Sequence, residues 1–436
     1  MTEAPARGDG IASTSRVTEG LTILAVAVAF CVSPMTLTAI GVNYEGDGGN
    51  PLLKVHPANW IFAIALLSNW LSKRDPIGYL SDLPRVFPGV LLFVLMGGFT
   101  LAFATVVQHV PATPLVDTFF AGTAMLVLYV DLDQSTLARL RILIHVILFT
   151  NACVGLGEYL TQTRLTPFIV AGVPVLHDYR STALLGHPLL NAGTSAGYVL
   201  MLFFGGHPWR RPFLKATLIA VQSVAMVAFG GRAAIVLMGL FLAIGSLPTI
   251  AGVVNGRRFD QRAGLAAVLG LPAILAASIT AAASGFLTNF VDRFVDDKGS
   301  AQARVVIFDL FDNFSIEEIL LGPDQQRLAS LQTTLGIGYG IENSWLDFLF
   351  RYGAVATVFL VLGIFALLAE IMRRTRRNSI FLVVYFLILV GSSASISVKS
   401  FAFNHFAILL LVVFGRGGEP SHAVRFGRAG AQPMRT

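Results

Sequence analysis

Long apolar runs alternate with short polar connections along almost the whole chain. Runs of roughly 20 apolar residues predict membrane-spanning helices, because a hydrocarbon core about 30 Å thick needs about 20 residues at a rise of 1.5 Å each. We delimit about 12 such runs, and a count of roughly 11 stays open because the second and the last are short. They cover residues 21–41, 58–71, 86–107, 115–130, 140–156, 188–204, 213–229, 233–250, 264–284, 344–369, 380–396 and 401–414.

One polar connection, residues 284–341, is far longer than any other. It carries Arg304, and Glu342 follows it just before the next apolar run begins. The spacing of apolar residues over 303–311 predicts a short amphipathic helix, and Gly322, followed by a proline, predicts a turn. We therefore predict an all-α, polytopic membrane protein with one long extramembrane loop that contains short helices.

Lysines and arginines are distributed unevenly among the connections. The first tail, the even-numbered loops and the last tail hold about 21 of the 31 basic residues, although the other connections are longer. Positively charged loops stay in the cytoplasm, so both termini are predicted to be cytoplasmic and the long loop to face outward. The predicted division is a disordered cytoplasmic tail (1–20), spans one to nine (21–284), the outer loop (285–342), spans ten to twelve (343–415) and a basic cytoplasmic tail (416–436).

Composition excludes an ordinary soluble protein. Hydrophobic residues make up 55% of the chain, charged residues only 13%, and the mean hydropathy is +0.71. The net charge of +6 lies in short loops beside apolar runs, so it indicates membrane topology, and no nucleic-acid partner is predicted. No metal-binding spacing of His, Cys or carboxylate residues is present in the sequence, so neither a metal nor a cofactor is predicted.

Polar residues inside the apolar runs are predicted to serve the packing of the helices. His145, Asn151, Asn404 and His405 are predicted to form hydrogen bonds between helices rather than a site. The serines within 392–397 are predicted to form a small-residue packing face of the eleventh helix. The two cysteines also fall in apolar runs and are predicted to be packed thiols.

Three residues that are predicted to lie on the outer side are candidates for catalysis. Arg232 follows two glycines at a helix start, and arginine binds phosphate oxygens through a planar fork, so Arg232 and Arg304 together are candidates to clamp a diphosphate. The alternative role of each arginine is an ion pair at the surface, with an acidic side chain or with a lipid headgroup. Glu342 is a candidate general base for a sugar hydroxyl. The alternative role of Glu342 is to stabilise the helix start through its negative charge, although Asn343 and Ser344 can cap that helix without it.

The connection 157–187 supplies further candidates for binding. Its two prolines argue against a long helix there, and the segment from Gly186 to Asn191 opens the sixth helix with a proline in its first turn. Polar side chains in and beside this connection, and one at the start of the tenth helix, are predicted to bind substrate or acceptor. These candidates are Tyr179, Arg180, His187, Asn191 and Asn343.

The order of these motifs resembles a known family. Gly-His-Pro-Leu-Leu-Asn opens the sixth helix, Gly-Gly-Arg-Ala-Ala the eighth, and a long outer loop carries an arginine followed by a Leu-Gly turn. Glu-Asn-Ser-Trp-Leu-Asp-Phe-Leu-Phe-Arg-Tyr-Gly-Ala-Val-Ala then begins the tenth helix. Over residues 157–369 the chain is similar to the O-antigen ligase and polymerase superfamily of bacterial envelope glycan enzymes.

The resemblance implies a metal-independent glycosyltransferase of the bacterial inner membrane. It would transfer a glycan from undecaprenyl diphosphate to an acceptor hydroxyl on the periplasmic face. Arg232 and Arg304 would engage the diphosphate, and Glu342 would be the acceptor base, with Gly353 about ten residues further on. Ligases of the family have His where Glu342 stands, which favours polymerisation of repeat units over ligation. Beyond glycan and bilayer, the expected partners are the flippase and the chain-length regulator of the same pathway.

Other classes of function are weighed beside this one. Ligase activity is the alternative within the family. A secondary transporter fits a count of 12 helices, but transporters carry charges near the bilayer midplane and internal repeats, and the sequence shows neither. A non-catalytic scaffold of glycan assembly would tolerate the loss of Glu342 without accumulating a precursor.

Overall fold

The computed structural model describes residues 15–45, 48–170, 173–175, 179–205, 212–256, 300–338, 340–393 and 395–416. Within these ranges the chain is helical apart from its connections and one two-residue antiparallel hairpin, β1 (Ile169–Val170) and β2 (Val173–Pro174). The all-α class is therefore confirmed. Three predicted features lie outside the described residues: the ninth apolar run (264–284), residues 285–299 of the outer loop, and most of both tails (1–14 and 417–436).

The described helices are numbered in chain order. They are α1 (Arg16–Cys31), α2 (Pro34–Ala39), α3 (Pro57–Leu71), α4 (Pro76–Val86), α5 (Pro88–Val106), α6 (Thr113–Asp131), α7 (Gln134–Thr161), α8 (Pro188–Phe203), α9 (Pro212–Phe229), α10 (Arg232–Val254), α11 (Ser300–Val306), α12 (Ile316–Leu321), α13 (Gln325–Thr334), α14 (Ser344–Arg374), α15 (Ser379–Val390) and α16 (Ala402–Phe414). Two 3₁₀ helices cover Pro51–Lys54 and Ile307–Asn313.

Five of the described helices, α5, α6, α7, α10 and α14, are long and apolar enough to cross a membrane. The helices α9, α15 and α16 are apolar but shorter. Every predicted apolar run except the ninth overlaps a described helix, which supports a membrane protein with spanning helices. The count of about 12 spans and their orientation stay predictions.

Several basic connections, in the residues that the structure describes, meet at one end of the helix bundle. Arg374 donates to the carbonyl oxygen of Val86 at 2.7 Å, and Arg141 donates to that of Val412 at 2.9 Å. We call this the basic end; it comprises residues 71–88, 131–141, 203–205, 370–379 and 412–416. The opposite ends of these helices form the loop end; it comprises residues 31–57, 107–113, 161–188, 229–232, 300–344 and 390–402.

Two helix boundaries at the N-terminal side differ from the prediction. The helix α1 begins at Arg16, inside the predicted disordered tail 1–20, because the Ser15 hydroxyl accepts a hydrogen bond from the Thr18 N–H and caps it. The run 21–41 is two helices rather than one. Ser33 caps α2, and Pro34 has no N–H with which to continue α1.

The predicted helix over 380–396 is wrong beyond Val390, where α15 ends. The hydroxyls of Ser392 and Ser393 donate to the carbonyl oxygen of Leu389 at 2.8 and 3.3 Å. Serines that bond to nearby carbonyls compete with the helical hydrogen bonds. The predicted serine packing face is therefore a non-helical stretch, residues 391–401, of which 394 lies outside the described residues. We call it the serine segment.

The predicted hydrogen bonds between helices are confirmed, whereas the predicted packing of the cysteines is wrong. His145, Asn151, Asn404 and His405 bond in that order to Tyr198, Asn191, Asp117 and Ala29. Both cysteines are free and exposed on the outside of the bundle. In a membrane protein an apolar position need not face inward, because the surroundings are as apolar as the core.

Candidate functional site

The described part of the outer loop, residues 300–341 without 339, is a folded unit with a hydrophobic centre of its own, here called the loop unit. Its buried members are Ile307, Leu310, Phe314, Leu328, Ile337 and Ile341, together with Phe350 of α14. The rings of Phe311 and Phe314 lie 4.9 and 5.9 Å from that of Phe350. The loop unit is thus fixed to the first turns of α14, next to Glu342.

The start of α14 is capped without the help of Glu342, as the sequence allowed. The Asn343 side-chain oxygen accepts hydrogen bonds from the Trp345 and Leu346 N–H groups at 3.0 and 3.2 Å. Ser344 bonds instead to the serine segment. Asn343, which was predicted to bind substrate, therefore has a capping role in this structure, and the carboxylate of Glu342 has no part in this cap.

The structure brings together two of the three predicted catalytic residues. Arg304 Nη2 of α11 lies 3.5 Å from Glu342 Oε2, and the two side chains are 47% and 46% exposed. An ion pair this exposed contributes about 0–1 kcal/mol to stability, so little is lost when either group changes its partner. The pair therefore places a guanidinium and a carboxylate at one point of the loop end.

Two other arginines, one in the loop unit and one on α14, have partners within the fold. Arg327 pairs with Glu318 and donates to the Asn313 carbonyl oxygen within the loop unit. Arg351 pairs with the buried carboxylate of Asp347 on α14, with an N–O distance of 3.3 Å. These contacts hold the loop unit and the first turns of α14 in shape.

Arg232 is the first residue of α10, at the same end of the bundle. Gly230 has a φ of +65°, and a Cβ on Gly231 would lie 2.3 Å from the Cβ of Ala192 in α8. The two glycines therefore allow α10 to approach α8 closely. Packing between these two helices is therefore a structural reason for the two glycines before Arg232.

The predicted binding residues of the connection 157–187 form an aromatic and cationic cluster. The rings of His187 and Phe168 lie 5.4 Å apart, edge to face, and the Arg180 guanidinium carbon lies 5.3 Å from the Phe168 ring centre. Tyr179 lies beneath Arg164, 5.0 Å from ring centre to guanidinium carbon. Burial and the charge of Arg180 lower the pKa of His187 to about 4, so the imidazole is neutral at pH 7.

Asn191 lies inside the bundle with its amide engaged by the protein. Its nitrogen donates to the carbonyl oxygens of Thr182 at 2.6 Å and His187 at 3.1 Å, and its oxygen accepts from Asn151. It is fully buried. This position favours a role in holding the connection against α8 and α7 over contact with a substrate.

Gly353, which the sequence marked only through the family motif, has a definite structural role. It interrupts α14 with φ +76° and ψ +163°, a conformation reached essentially by glycine alone. A Cβ there would lie 2.4 Å from the backbone nitrogen of Gly322 in the loop unit. Gln325 donates to the Phe350 carbonyl oxygen, one of those freed by the break, at 3.3 Å. The kink is thus where the loop unit docks on α14.

A buried charge cluster lies at the loop end, and no pattern in the sequence indicates it. The Asp117 carboxylate of α6, fully buried, lies 3.7 Å from Lys399 Nζ of the serine segment. It also accepts hydrogen bonds from the Tyr44 hydroxyl at 2.6 Å, the His56 N–H at 2.9 Å and the Asn59 amide at 2.7 Å. We call these five residues the Asp117 cluster. It ties together three segments that are distant in sequence.

No protein-family model matches the chain, and no curated protein matches it. In the part of the chain that the structure describes, no three His, Cys, Asp or Glu side chains are gathered where they could share a metal ion.

Proposed function

We propose that the chain is a glycosyltransferase of the bacterial inner membrane that polymerises undecaprenyl-diphosphate-linked oligosaccharide repeat units on the periplasmic face. The product would be an exopolysaccharide or O-antigen. The observation that carries the proposal is the contact between Arg304 and Glu342 at the loop end. The motifs that resemble those of the glycan polymerases begin at the same end of the bundle. Both termini would be cytoplasmic, and the partners would be the lipid-linked glycan, the bilayer, the flippase and the chain-length regulator.

The two side chains divide the chemistry of transfer between them. The acceptor hydroxyl oxygen forms a bond to the anomeric carbon, the bond from that carbon to the diphosphate oxygen breaks, and the hydroxyl proton passes to Glu342. Arg304, together with Arg232, neutralises the charge that builds up on the departing diphosphate. Because the Arg304–Glu342 pair is exposed and weak, an arriving diphosphate can draw the guanidinium away and leave the carboxylate as the proton acceptor.

Replacing Glu342 by Gln tests the proposal directly. The variant keeps the shape of the side chain but loses the proton acceptor, so polymer formation should fall by about 100-fold or more. The measurement is the profile of undecaprenyl-linked glycans in cells that carry Glu342→Gln in place of the native chain. Accumulated single repeat units support a polymerase.

The matched control is Glu318→Gln, which breaks a second carboxylate–arginine pair in the same loop unit. Gln at this position retains a capping side chain for α12, so the control should keep the native glycan profile. Long lipid-linked chains that never reach an acceptor in Glu342→Gln would instead indicate a ligase. An unchanged profile would contradict both activities and favour a transporter or a scaffold.

Arg304 should be more important to transfer than Arg327, another arginine of the loop unit. Arg304→Gln is expected to lower the rate of polymer formation by about 10- to 100-fold, because one donor to the leaving diphosphate is lost. Arg327→Gln removes an arginine that serves the loop unit and should change the rate by less than about threefold. The rates are compared in membranes that contain equal amounts of each variant. Equal rates in the two variants would refute the role of Arg304.

A further inference from the structure

The serine segment is recessed below the rim of the loop end. Its Val398 carbonyl oxygen accepts a hydrogen bond at 3.1 Å from Thr118, five residues inside α6, which starts at Thr113. Just before the segment, Leu389 lies against Gly193, five residues inside α8, which starts at Pro188. At 1.5 Å per residue the segment lies roughly 7 Å below the first residues of α6 and α8. Non-helical backbone at such a depth needs protein or water as its partner.

One end of the serine segment is anchored by charge. Lys399 Nζ donates to the Tyr44 carbonyl oxygen at 2.6 Å and lies 3.2 Å from the centre of the Tyr44 ring. The Lys399 side chain is 14% exposed, and its ion-pair partner Asp117 is buried. A buried pair with additional hydrogen bonds loses several kcal/mol when one partner is removed, so Lys399 holds its segment firmly.

The other end of the segment holds the first residue of α14. The Ser393 carbonyl oxygen accepts hydrogen bonds from the Ser344 N–H at 3.0 Å and from the Ser344 hydroxyl at 2.7 Å. The Ile396 N–H donates back to the Ser344 hydroxyl oxygen at 3.2 Å. Ser344 is two residues after Glu342. A continuous series of contacts therefore leads from Asp117 through the serine segment to the candidate base.

We propose that the serine segment, anchored by Lys399, positions the Glu342 carboxylate by fixing the start of α14, and that Lys399 and Ser344 are positioning residues. The proposal rests on the function proposed above, in which Glu342 accepts the acceptor proton. A general base must lie within hydrogen-bond reach of its proton, and a displacement of about 1 Å can cost about 100-fold in rate. A residue that holds the start of α14 therefore affects the chemistry without touching the substrate.

Hydrogen exchange of the full-length protein in lipid nanodiscs tests the anchoring without any assay of activity. In Lys399→Met, the amides of Ser344 and Ile396 should exchange about tenfold faster or more, while those of α9 keep their native rates. Lys399→Arg keeps a cation beside Asp117 and Tyr44 and should restore the protection. Lys54→Met is the matched control, because Lys54 is a half-buried lysine of the same loop end whose ammonium donates to the Asn43 side-chain oxygen. It should exchange like the native protein.

The rate of transfer supplies the second measurement. Lys399→Met should lower kcat about tenfold or more with little change in KM for the lipid-linked donor, and Lys399→Arg should recover most of that loss. If Lys399→Met does not fold, Ser344→Ala replaces it, because this variant leaves the Asp117 cluster intact and removes only the hydroxyl contacts to the serine segment. It should lower kcat in the same way.

The outcomes separate this proposal from the function on which it rests. Native exchange at Ser344 and Ile396 in folded Lys399→Met overturns the positioning role, whatever the activity. Native kcat in Ser344→Ala also overturns it. Faster exchange in Lys399→Met, combined with native protein that transfers no glycan, supports the anchoring of α14 and overturns the proposed function instead.

Discussion

Asp117→Ala is expected to destabilise the protein by about 3–5 kcal/mol, because it leaves a largely buried lysine and three hydrogen-bond donors without their acceptor. Lys399 loses its counter-ion, while Tyr44, His56 and Asn59 lose the oxygens to which they donate. A buried group that is left unsatisfied bears its full desolvation cost. The free energy of unfolding is measured by chemical denaturation of the purified protein in micelles.

Asp82→Ala is the control for this prediction. Asp82 also pairs with a basic residue, Arg85, but that pair lies at the surface with an N–O distance of 3.6 Å and the arginine largely exposed. Its removal should change the free energy of unfolding by less than about 1 kcal/mol. Similar losses in the two variants would mean that the buried cluster contributes no more than a surface pair.

Gly353→Ala is expected to lower the free energy of unfolding by about 3 kcal/mol or more. The backbone conformation at this position costs a residue with a Cβ about 1–3 kcal/mol. The added methyl would also lie 2.4 Å from the Gly322 nitrogen and 2.6 Å from the Leu320 carbonyl oxygen, so the loop unit would have to move off α14. Thermal unfolding of the purified protein and proteolysis of the loop unit provide the measurement.

Gly239→Ala is a suitable comparison on α10, where a Cβ would meet nothing within 4 Å. Alanine is favoured over glycine inside a helix by about 1 kcal/mol, so this variant should be neutral or slightly more stable. A loss of stability in Gly239→Ala as large as that in Gly353→Ala would show that neither the kink nor its contact with the loop unit is special.

The helices were predictable because their signal is local. An apolar run of sufficient length has few alternatives in a bilayer, and starts such as Pro57, Pro88 and Pro188 are marked by proline in the first turn. The short helices of the outer loop had a signal of the same local kind. The amphipathic spacing over 303–311 predicted one helix, which the structure divides between α11 and the 3₁₀ helix Ile307–Asn313, and Gly322 lies at the predicted turn. Arg304 and Glu342 were both candidates from their residue types and their common side.

The remaining features depend on distant partners. Asp117 and Lys399 are 282 residues apart (399 minus 117), and nothing near either residue indicates that they pair. The backbone of Gly353 is in close contact with Gly322, which is 31 residues earlier (353 minus 322). The serine segment has the composition of a helical packing face, but it is not helical, because two of its hydroxyls donate to the carbonyl oxygen of Leu389. Contacts of this kind are set by the whole fold, so no pattern along the chain reports them.

Unequal helix lengths give the protein an uneven hydrophobic thickness. The helix α5 has 19 residues and a length of about 28 Å, whereas α15 has 12 residues and a length of about 18 Å. Both expose apolar side chains, among them Ile380, Val384 and Ile388 on α15. A bilayer that matches α5 is about 10 Å too thick for α15 and must thin there, at a cost of fractions of a kcal/mol per ångström. The bilayer beside α15 is therefore deformed by hydrophobic mismatch, whereas the bilayer beside α5 is not.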